Sequence, residues 1–412
     1  MQTSCLLPNL TVLDWNPYRS DQVYIPTNFI QQLLSPTLIS IRANFAESGG
    51  AALLSFFNSY PLLCRNLKSV RFELPTKSTT MHALSWAICR LNTLENVTIH
   101  APIDHTALSH LSTLPTLKVL AVTLSETPEP QTHSLLHDDM LFSSVKELEF
   151  EASSLDLVAN LLRPRDQIFD VFRLKCNSRV PSEAVLAFLS VLASRPHTKP
   201  LRNLKLTIGD FIHRLRADQM ESDATRYRLS YQILQPLMVF GSLRYLMIEW
   251  GEQISLDDDE VASLVQSWPL LEVFVVDCHR GPYPRFSIKY PTLRSLLSLV
   301  SCPRLQTVCL PLDARQVPQV EDAGPYETRF SWLSLPESPI DDPLPVAEFL
   351  YKYLPYVTDI DARFMPMGPD AMQLAAYEQA WEQVQRHLGE FNGYMSDALE
   401  LASVSSDEED DD

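Results

Sequence analysis

The chain has 412 residues, 45% of them hydrophobic, ten Gly against thirty Pro, and a formal net charge of −18. That length holds two or three ordinary domains or one long repeat array, and that charge excludes a nucleic-acid binder, which needs a basic footprint. No stretch approaches the ~20 apolar residues of a membrane span, no signal segment opens the chain, and scarce Gly leaves little material for phosphate-cradling loops.

One phrase recurs along the chain. Leu7-Pro8-Asn9-Leu10-Thr11-Val12-Leu13 comes back as Leu114-Pro115-Thr116-Leu117-Lys118-Val119-Leu120, as Trp268-Pro269-Leu270-Leu271-Glu272-Val273-Phe274, as Cys302-Pro303-Arg304-Leu305-Gln306-Thr307-Val308, and as Leu354-Pro355-Tyr356-Val357-Thr358-Asp359-Ile360. Its core reads apolar-x-x-apolar-x-apolar. Copies begin at Leu10, Leu38, Leu67, Leu94, Leu117, Val145, Phe169, Leu201, Leu243, Leu271, Leu305, Phe330 and Val357, at steps of about 29 residues, inside the range of leucine-rich repeats. Each copy reads as a short strand followed by an amphipathic helix. Helices are predicted over Met81–Leu91, Ser182–Ala193, Asp257–Trp268 and Pro343–Tyr353, with Asp104 and Asp258 as N-caps. Residues 125–141 and 313–328 read as surface loops, and 209–232 as a polar, Arg-rich insert.

In Asp370 to Leu388 the apolar residues Leu374, Tyr377, Trp381, Val384 and Leu388 fall on one helical face, with Gly389 as C-cap. This predicts a helix sealing the last repeat. Ser403, Ser405 and Ser406 precede the run Asp407-Glu408-Glu409-Asp410-Asp411-Asp412, which reads as a disordered, solubilising tail open to acidophilic kinases. The expected architecture is therefore α/β. A leucine-rich-repeat-like solenoid of about thirteen irregular repeats spans 1–368, with a parallel β-sheet on the concave side and helices on the convex side,. A capping helix follows over 369–390 and an acidic tail over 391–412. Nine residues before Leu10 are too few to cover the first strand, so a partner or further domain is expected there,.

The stretch Phe240-Gly241-Ser242-Leu243-Arg244-Tyr245-Leu246 resembles fungal F-box/leucine-rich-repeat proteins, the basidiomycete set in particular. So do Leu256-Asp257-Asp258-Asp259-Glu260-Val261-Ala262 leading to Trp268-Pro269, Leu310-Pro311-Leu312-Asp313-Ala314, and the closing Leu354 to Ala362 with Trp381-Glu382-Gln383-Val384. The resemblance implies a substrate-recognition region of a ubiquitin-ligase adaptor, binding a protein substrate. Members of that family dock a Skp-type adaptor through an N-terminal F-box. No Leu-Pro-x-Glu-Leu opening precedes Leu10, so that partner is expected only if an F-box is supplied upstream.

In such a repeat the residue between the last two apolar positions points away from the helices. That row reads Asp14, Arg42, Arg71, Thr98, Ala121, Glu149, Arg173, Lys205, Met247, Val275, Cys309, Ser334 and Asp361, with Glu147, Glu151 and Lys175 beside it. Arg42, Arg71, Glu147, Glu149, Glu151, Arg173, Lys175, Lys205, Met247, Val275 and Asp361 are the candidate protein-binding residues. They offer an acidic patch beside a basic one and then a greasy stretch, Met247, Val275 and Cys309, facing solvent or covered by the 313–328 loop. A second reading is a stand-alone scaffold binding a basic protein, with no ligase link.

Seven scattered Cys with no Cys-x-x-Cys point to reduced thiols, hence cytoplasm or nucleus,. His133 and His137 stand four apart near carboxylates but lack a third ligand, so no metal is expected. No phosphate-loop, dinucleotide or nucleophile signature occurs, so no cofactor and no catalysis are expected.

Overall fold

The computed structural model describes residues 5–16, 27–45, 50–74, 80–124, 142–162, 169–194, 200–209, 224–278, 289–320, 330–336, 338–362 and 371–405. The chain divides into two compact units, residues 1–180 with 187–203, and residues 181–186 with 204–412. Each is an α/β repeat array of leucine-rich-repeat type.

In the first unit seven strands lie side by side in sequence order, each parallel to the next. They are β1 (Val12–Trp15), β2 (Ser40–Asn44), β3 (Ser69–Glu73), β4 (Asn96–Ile103), β5 (Val119–Leu124), β6 (Glu147–Ala152) and β7 (Val171–Cys176). The helices are α1 (Gly50–Leu63), α2 (Met81–Ile88), α3 (His105–Thr113), α4 (Leu155–Leu162) and α5 (Ser182–Ala193).

The repeat leucines after the half-buried Leu10 are buried, Leu38, Leu67, Leu94 and Leu117 completely. From there each strand sends every second side chain under the helices, as with Ile41, Val70, Phe72, Val97, Ile99, Leu148 and Phe150, because side chains alternate along a strand. Phe45, Phe56, Phe57, Tyr60 and Phe72 form one aromatic cluster with ring centroids 5.0 to 6.3 Å apart.

Register comes from a shared acceptor at the start of each strand. The N–H groups of Lys68 and Ser69 both donate to the Ile39 carbonyl, at 2.8 and 3.1 Å, and those of Glu95 and Asn96 to the Lys68 carbonyl, at 2.7 and 2.9 Å. The pattern repeats at Lys118 and Val119 on Glu95, Lys146 and Glu147 on Lys118, and Asp170 and Val171 on Lys146. A carbonyl oxygen has two lone pairs and accepts both. Threonine hydroxyls add a second tie: Thr37 donates to the Leu10 carbonyl, Thr93 to Leu67 and Thr116 to Leu94. The register shifts between Ile99 and Pro102, where proline has no N–H for the ladder.

The second unit repeats the scheme with β8 (Asn203–Ile208), β9 (Leu229–Ser230), β10 (Tyr245–Trp250), β11 (Ile254–Ser255), β12 (Val273–Cys278), β13 (Thr307–Cys309), β14 (Trp332–Ser334) and β15 (Asp359–Asp361). Its sheet order is β8-β10-β12-β13-β14-β15, and β9 and β11 form a separate pair. The helices are α6 (Tyr231–Leu234), α7 (Asp258–Gln266), α8 (Leu293–Leu299), α9 (Pro343–Tyr353) and α10 (Ala371–Ser405). Arg244, Glu272, Gln306 and Ser331 supply the shared carbonyls here. Of the insert at 209–232, residues 224–232 carry a 3-10 turn, β9 and the start of α6.

Two expectations at helix ends need correction. Asp104 caps α3 through a 2.9 Å bond from Ala107 N–H, but α7 is capped by Asp257, not Asp258. Asp257 and Glu260 form a capping box, which frees Asp258 for another task. Its carboxylate accepts from Thr292 N–H and the Thr292 hydroxyl, both at 2.7 Å, and from the Ser295 hydroxyl, tying α7 to the start of α8. Gly389 is no C-cap either. It lies inside α10, which continues to Ser405, and the only described glycine at positive φ is Gly209, at 141°. A Cβ on Gly209 would meet Gly251 Cα at 2.5 Å.

Helix α10 packs against the last strand. Trp381, Val384 and Leu388 are buried, and Trp381 Nε1 donates to the Ser338 carbonyl at 2.8 Å. Gln385 acts as a one-residue strand on the β15 edge. Its Oε1 accepts from Ile360 N–H at 2.8 Å and its Nε2 donates to the Thr358 carbonyl at 2.6 Å, satisfying groups an edge strand leaves bare. Trp381→Ala should therefore destabilise the second unit by about 3–5 kcal/mol in chemical denaturation. A loss of less than about 1 kcal/mol would contradict this packing.

Candidate functional site

In each unit the sheet face away from the helices carries rows of side chains set by register. In the first unit the central row runs Asp14, Arg42, Arg71, Thr98, Ala121, Glu149, Arg173, each the direct partner of the next. The row read from repeat spacing is thus contiguous in space.

A groove of about 320 Å³ lies across its middle. Thr98 and Ala121 make the floor, with Ala121 only 6% exposed. Arg71 and His100 stand on one side, and Glu147, Glu149 and Arg173 on the other. Short side chains on two adjacent strands, between long ones, leave the depression. His100 escaped the sequence reading because it lies two residues beyond the central position. The same period of two could have found it.

The acidic and basic patches are not separate surfaces. Arg173 reaches Glu147 at 3.5 Å and Glu149 at 3.8 Å, and Lys175 reaches Glu151 at 2.9 Å. Asn177 donates to the same Glu151 oxygen at 2.7 Å. Strand β7 therefore largely neutralises β6, and one carboxylate of the Glu147–Glu149–Arg173 group remains in excess beside the groove. Arg42 pairs with Asp14 at 3.5 Å and Arg71 with Glu73 at 3.4 Å. These pairs are exposed and individually weak.

A further row borders the strand starts, at the residue after each repeat leucine. Here Glu95 sits between Lys68 and Lys118, at 2.9 and 2.7 Å. The hydrogen bonds and charges of Lys118 and Lys68 hold its carboxyl down at about 2. Arg244 and Glu272 pair the same way in the second unit, at 3.2 Å. The cue was visible in Leu67-Lys68, Leu94-Glu95 and Leu117-Lys118, where a charged residue follows the leucine.

In the second unit Met247, Val275, Cys309, Ser334 and Asp361 are successive register partners. Lys205 bonds Glu249 at 2.9 Å, and the Thr207 hydroxyl bonds the other Glu249 oxygen at 2.7 Å. Val275 and Cys309 do not form an exposed greasy patch. They are 8% and 5% exposed. Met247 keeps part of its surface. Beside them runs a row that the repeat reading passed over: Tyr245, Val273, Thr307, Trp332 and Asp359. Asp361 lines a cleft of about 260 Å³ between β15 and α10, with Glu378 and Glu382.

Net charge is unevenly divided. The first unit holds 17 Lys and Arg against 16 Asp and Glu, and the second 16 against 35, so the second carries −19 of the total −18 and the first +1. Cys5, Cys64, Cys89, Cys176, Cys302 and Cys309 are in no disulfide, and burial pushes the Cys64 thiol up to about 12 and that of Cys302 to about 11. No group of three His, Cys, Asp or Glu converges among the described residues, and none of their helices is long and apolar enough to cross a membrane. His133, His137 and the acidic run from Asp407 lie outside the described residues.

The geometry defines an α/β leucine-rich-repeat-type protein with an open sheet face. No family model and no curated protein matches the chain. Among solved structures, the crystal structure of the Rad7 and Elc1 complex in yeast is similar at 14% identity and a TM-score of 0.42, over 83% of this chain and 82% of that one.

The Glu95 bridge makes a pH-dependent contribution. Its carboxyl ionises below the ordinary 4.5, so the contribution is complete above that pH and fades as pH falls toward about 2. Glu95→Gln should be less stable than the parent at pH 7, with the gap closing on acidification and narrowing in high salt. A gap independent of pH would refute the Lys68–Glu95–Lys118 bridge.

Proposed function

We propose that the chain is a protein-interaction module that holds a partner polypeptide against the open sheet face. The groove over Thr98 and Ala121 carries this reading. It offers a small-residue floor for a partner side chain, between ionic walls that can re-pair with the partner,. Catalysis has no part in it.

The segments Phe240 to Leu246, Leu256 to Ala262 and Leu354 to Ala362 support a finer version. In it the chain is the substrate-side region of a fungal F-box ubiquitin-ligase adaptor, and an F-box supplied upstream engages the Skp-type adaptor. The excess of 35 acidic over 16 basic residues in the second unit favours a second version, a stand-alone scaffold for a basic protein. The Cys64, Cys89 and Cys302 thiols, held protonated by burial, suit a reducing compartment, cytoplasm or nucleus.

Affinity capture of the full chain from its own cells, read by quantitative mass spectrometry, tests the proposal. Ala121→Trp fills the groove and should lower recovery of specific partners by about tenfold, whereas Glu183→Lys, at an exposed position of helix α5, should not. Recovery of a Skp-type adaptor with the partners supports the ligase version, and partners without it support the scaffold. Recovery indifferent to Ala121→Trp contradicts binding in the groove.

A further inference from the structure

We infer that the open face of the second unit takes an extended basic polypeptide segment whose apolar side chains seat between Tyr245 and Trp332. The inference rests on the open-face reading above and names the chemistry of the occupant.

The first observation is the row on β10, β12, β13 and β14. Tyr245, Val273, Thr307 and Trp332 are successive register partners, so the backbone positions carrying the two aromatic rings lie three strand spacings apart, about 14 Å. Between them the side chains are short. In the adjoining row Val275 and Cys309 are short and apolar, 8% and 5% exposed. Trp332 is 36% exposed, and the Tyr245 hydroxyl donates to Met247 Sδ at 3.6 Å, which turns the phenol toward its own strand. A sheet face built only to meet water has no use for such a trough. An aromatic-walled apolar floor is the usual anchor of a peptide interface.

The second observation is charge. Asp359 and Asp361 end the two rows, while Glu249 in the next row is held by Lys205 and Thr207. Two carboxylates therefore border the trough, within a unit of net charge −19, six of those charges in the run Asp407 to Asp412, while the first unit has +1. Such a field raises the encounter rate of a basic segment and repels an acidic one. An extended segment alternates its side chains. Apolar residues can face the floor while Lys and Arg reach the carboxylates or lie over the Trp332 ring, where a cation is attracted. A second copy of this chain brings the same excess of carboxylates, and anionic lipid or nucleic acid is repelled outright.

Selection of a random 12-residue peptide library on the full chain tests this, followed by fluorescence anisotropy of the enriched peptides. The expected peptides carry Lys or Arg flanking Leu, Phe or Trp. Their Kd should weaken by about tenfold in Trp332→Ala and in Tyr245→Ala, recover in Trp332→Phe, stay unchanged in Glu183→Lys, and weaken with salt. Thermal unfolding of each variant checks that the fold is retained. Acidic or purely polar enriched peptides, no enrichment, or affinities indifferent to Trp332 and Tyr245 overturn the inference. Loss on Ala121→Trp in place of Trp332→Ala overturns it while leaving the broader proposal standing. Indifference to all three substitutions removes both.

Discussion

One carbonyl per repeat, accepting two consecutive N–H groups from the next repeat, is the constraint on which the rest depends. It fixes where each strand begins relative to its neighbour, to the residue. With the start fixed and side chains alternating, everything on either face follows. The repeat leucine and every second strand residue go under the helices, and the residues between them line up in rows on the open face. A slip of one residue would exchange the two faces. Burial of large apolar side chains at the repeat leucines is what makes such a slip costly.

The rows convert a one-dimensional repeat into a surface with local chemistry. Where two neighbouring repeats place short residues, as at Thr98 and Ala121, the face sinks into a groove. Where acidic and basic residues meet in register, as on β6 and β7, they neutralise one another and stop being a patch. Where aromatic residues stand three strands apart, as with Tyr245 and Trp332, they wall a trough. Variation at solvent-facing positions can thus change what is bound while the buried positions keep the fold. The end of the array needs separate treatment, and Gln385 and Trp381 supply it by closing the β15 edge.

Much of this was readable before any coordinates. The repeat leucines, the helices at Ser182–Ala193 and Pro343–Tyr353, and the central row follow from apolar spacing and alternation, which are local properties. What escaped depends on neighbours in space. Alternation says which face Val275 and Cys309 occupy but not how high they stand beside Met247. The pairing of Arg173 with Glu147 and Glu149 needs the register between repeats, not the residues within one. The central position marks Met247 and Ser334 but not Tyr245 and Trp332, which lie two residues earlier on the same strands and share that face. With three aspartates in succession, composition alone could not tell that Asp257 caps the helix while Asp258 holds Thr292 and Ser295.

The account stands or falls on which side chains the register turns outward. Maleimide labelling of single introduced cysteines, in a background lacking the native thiols, measures this directly. Thiols replacing Arg71, Thr98, Glu149 and Arg173 should react rapidly in the folded protein, and those replacing Phe72, Ile99, Phe150 and Leu174 only after denaturation. The opposite pattern, or equal reactivity in both sets, would contradict the register and with it every binding surface described on the open face.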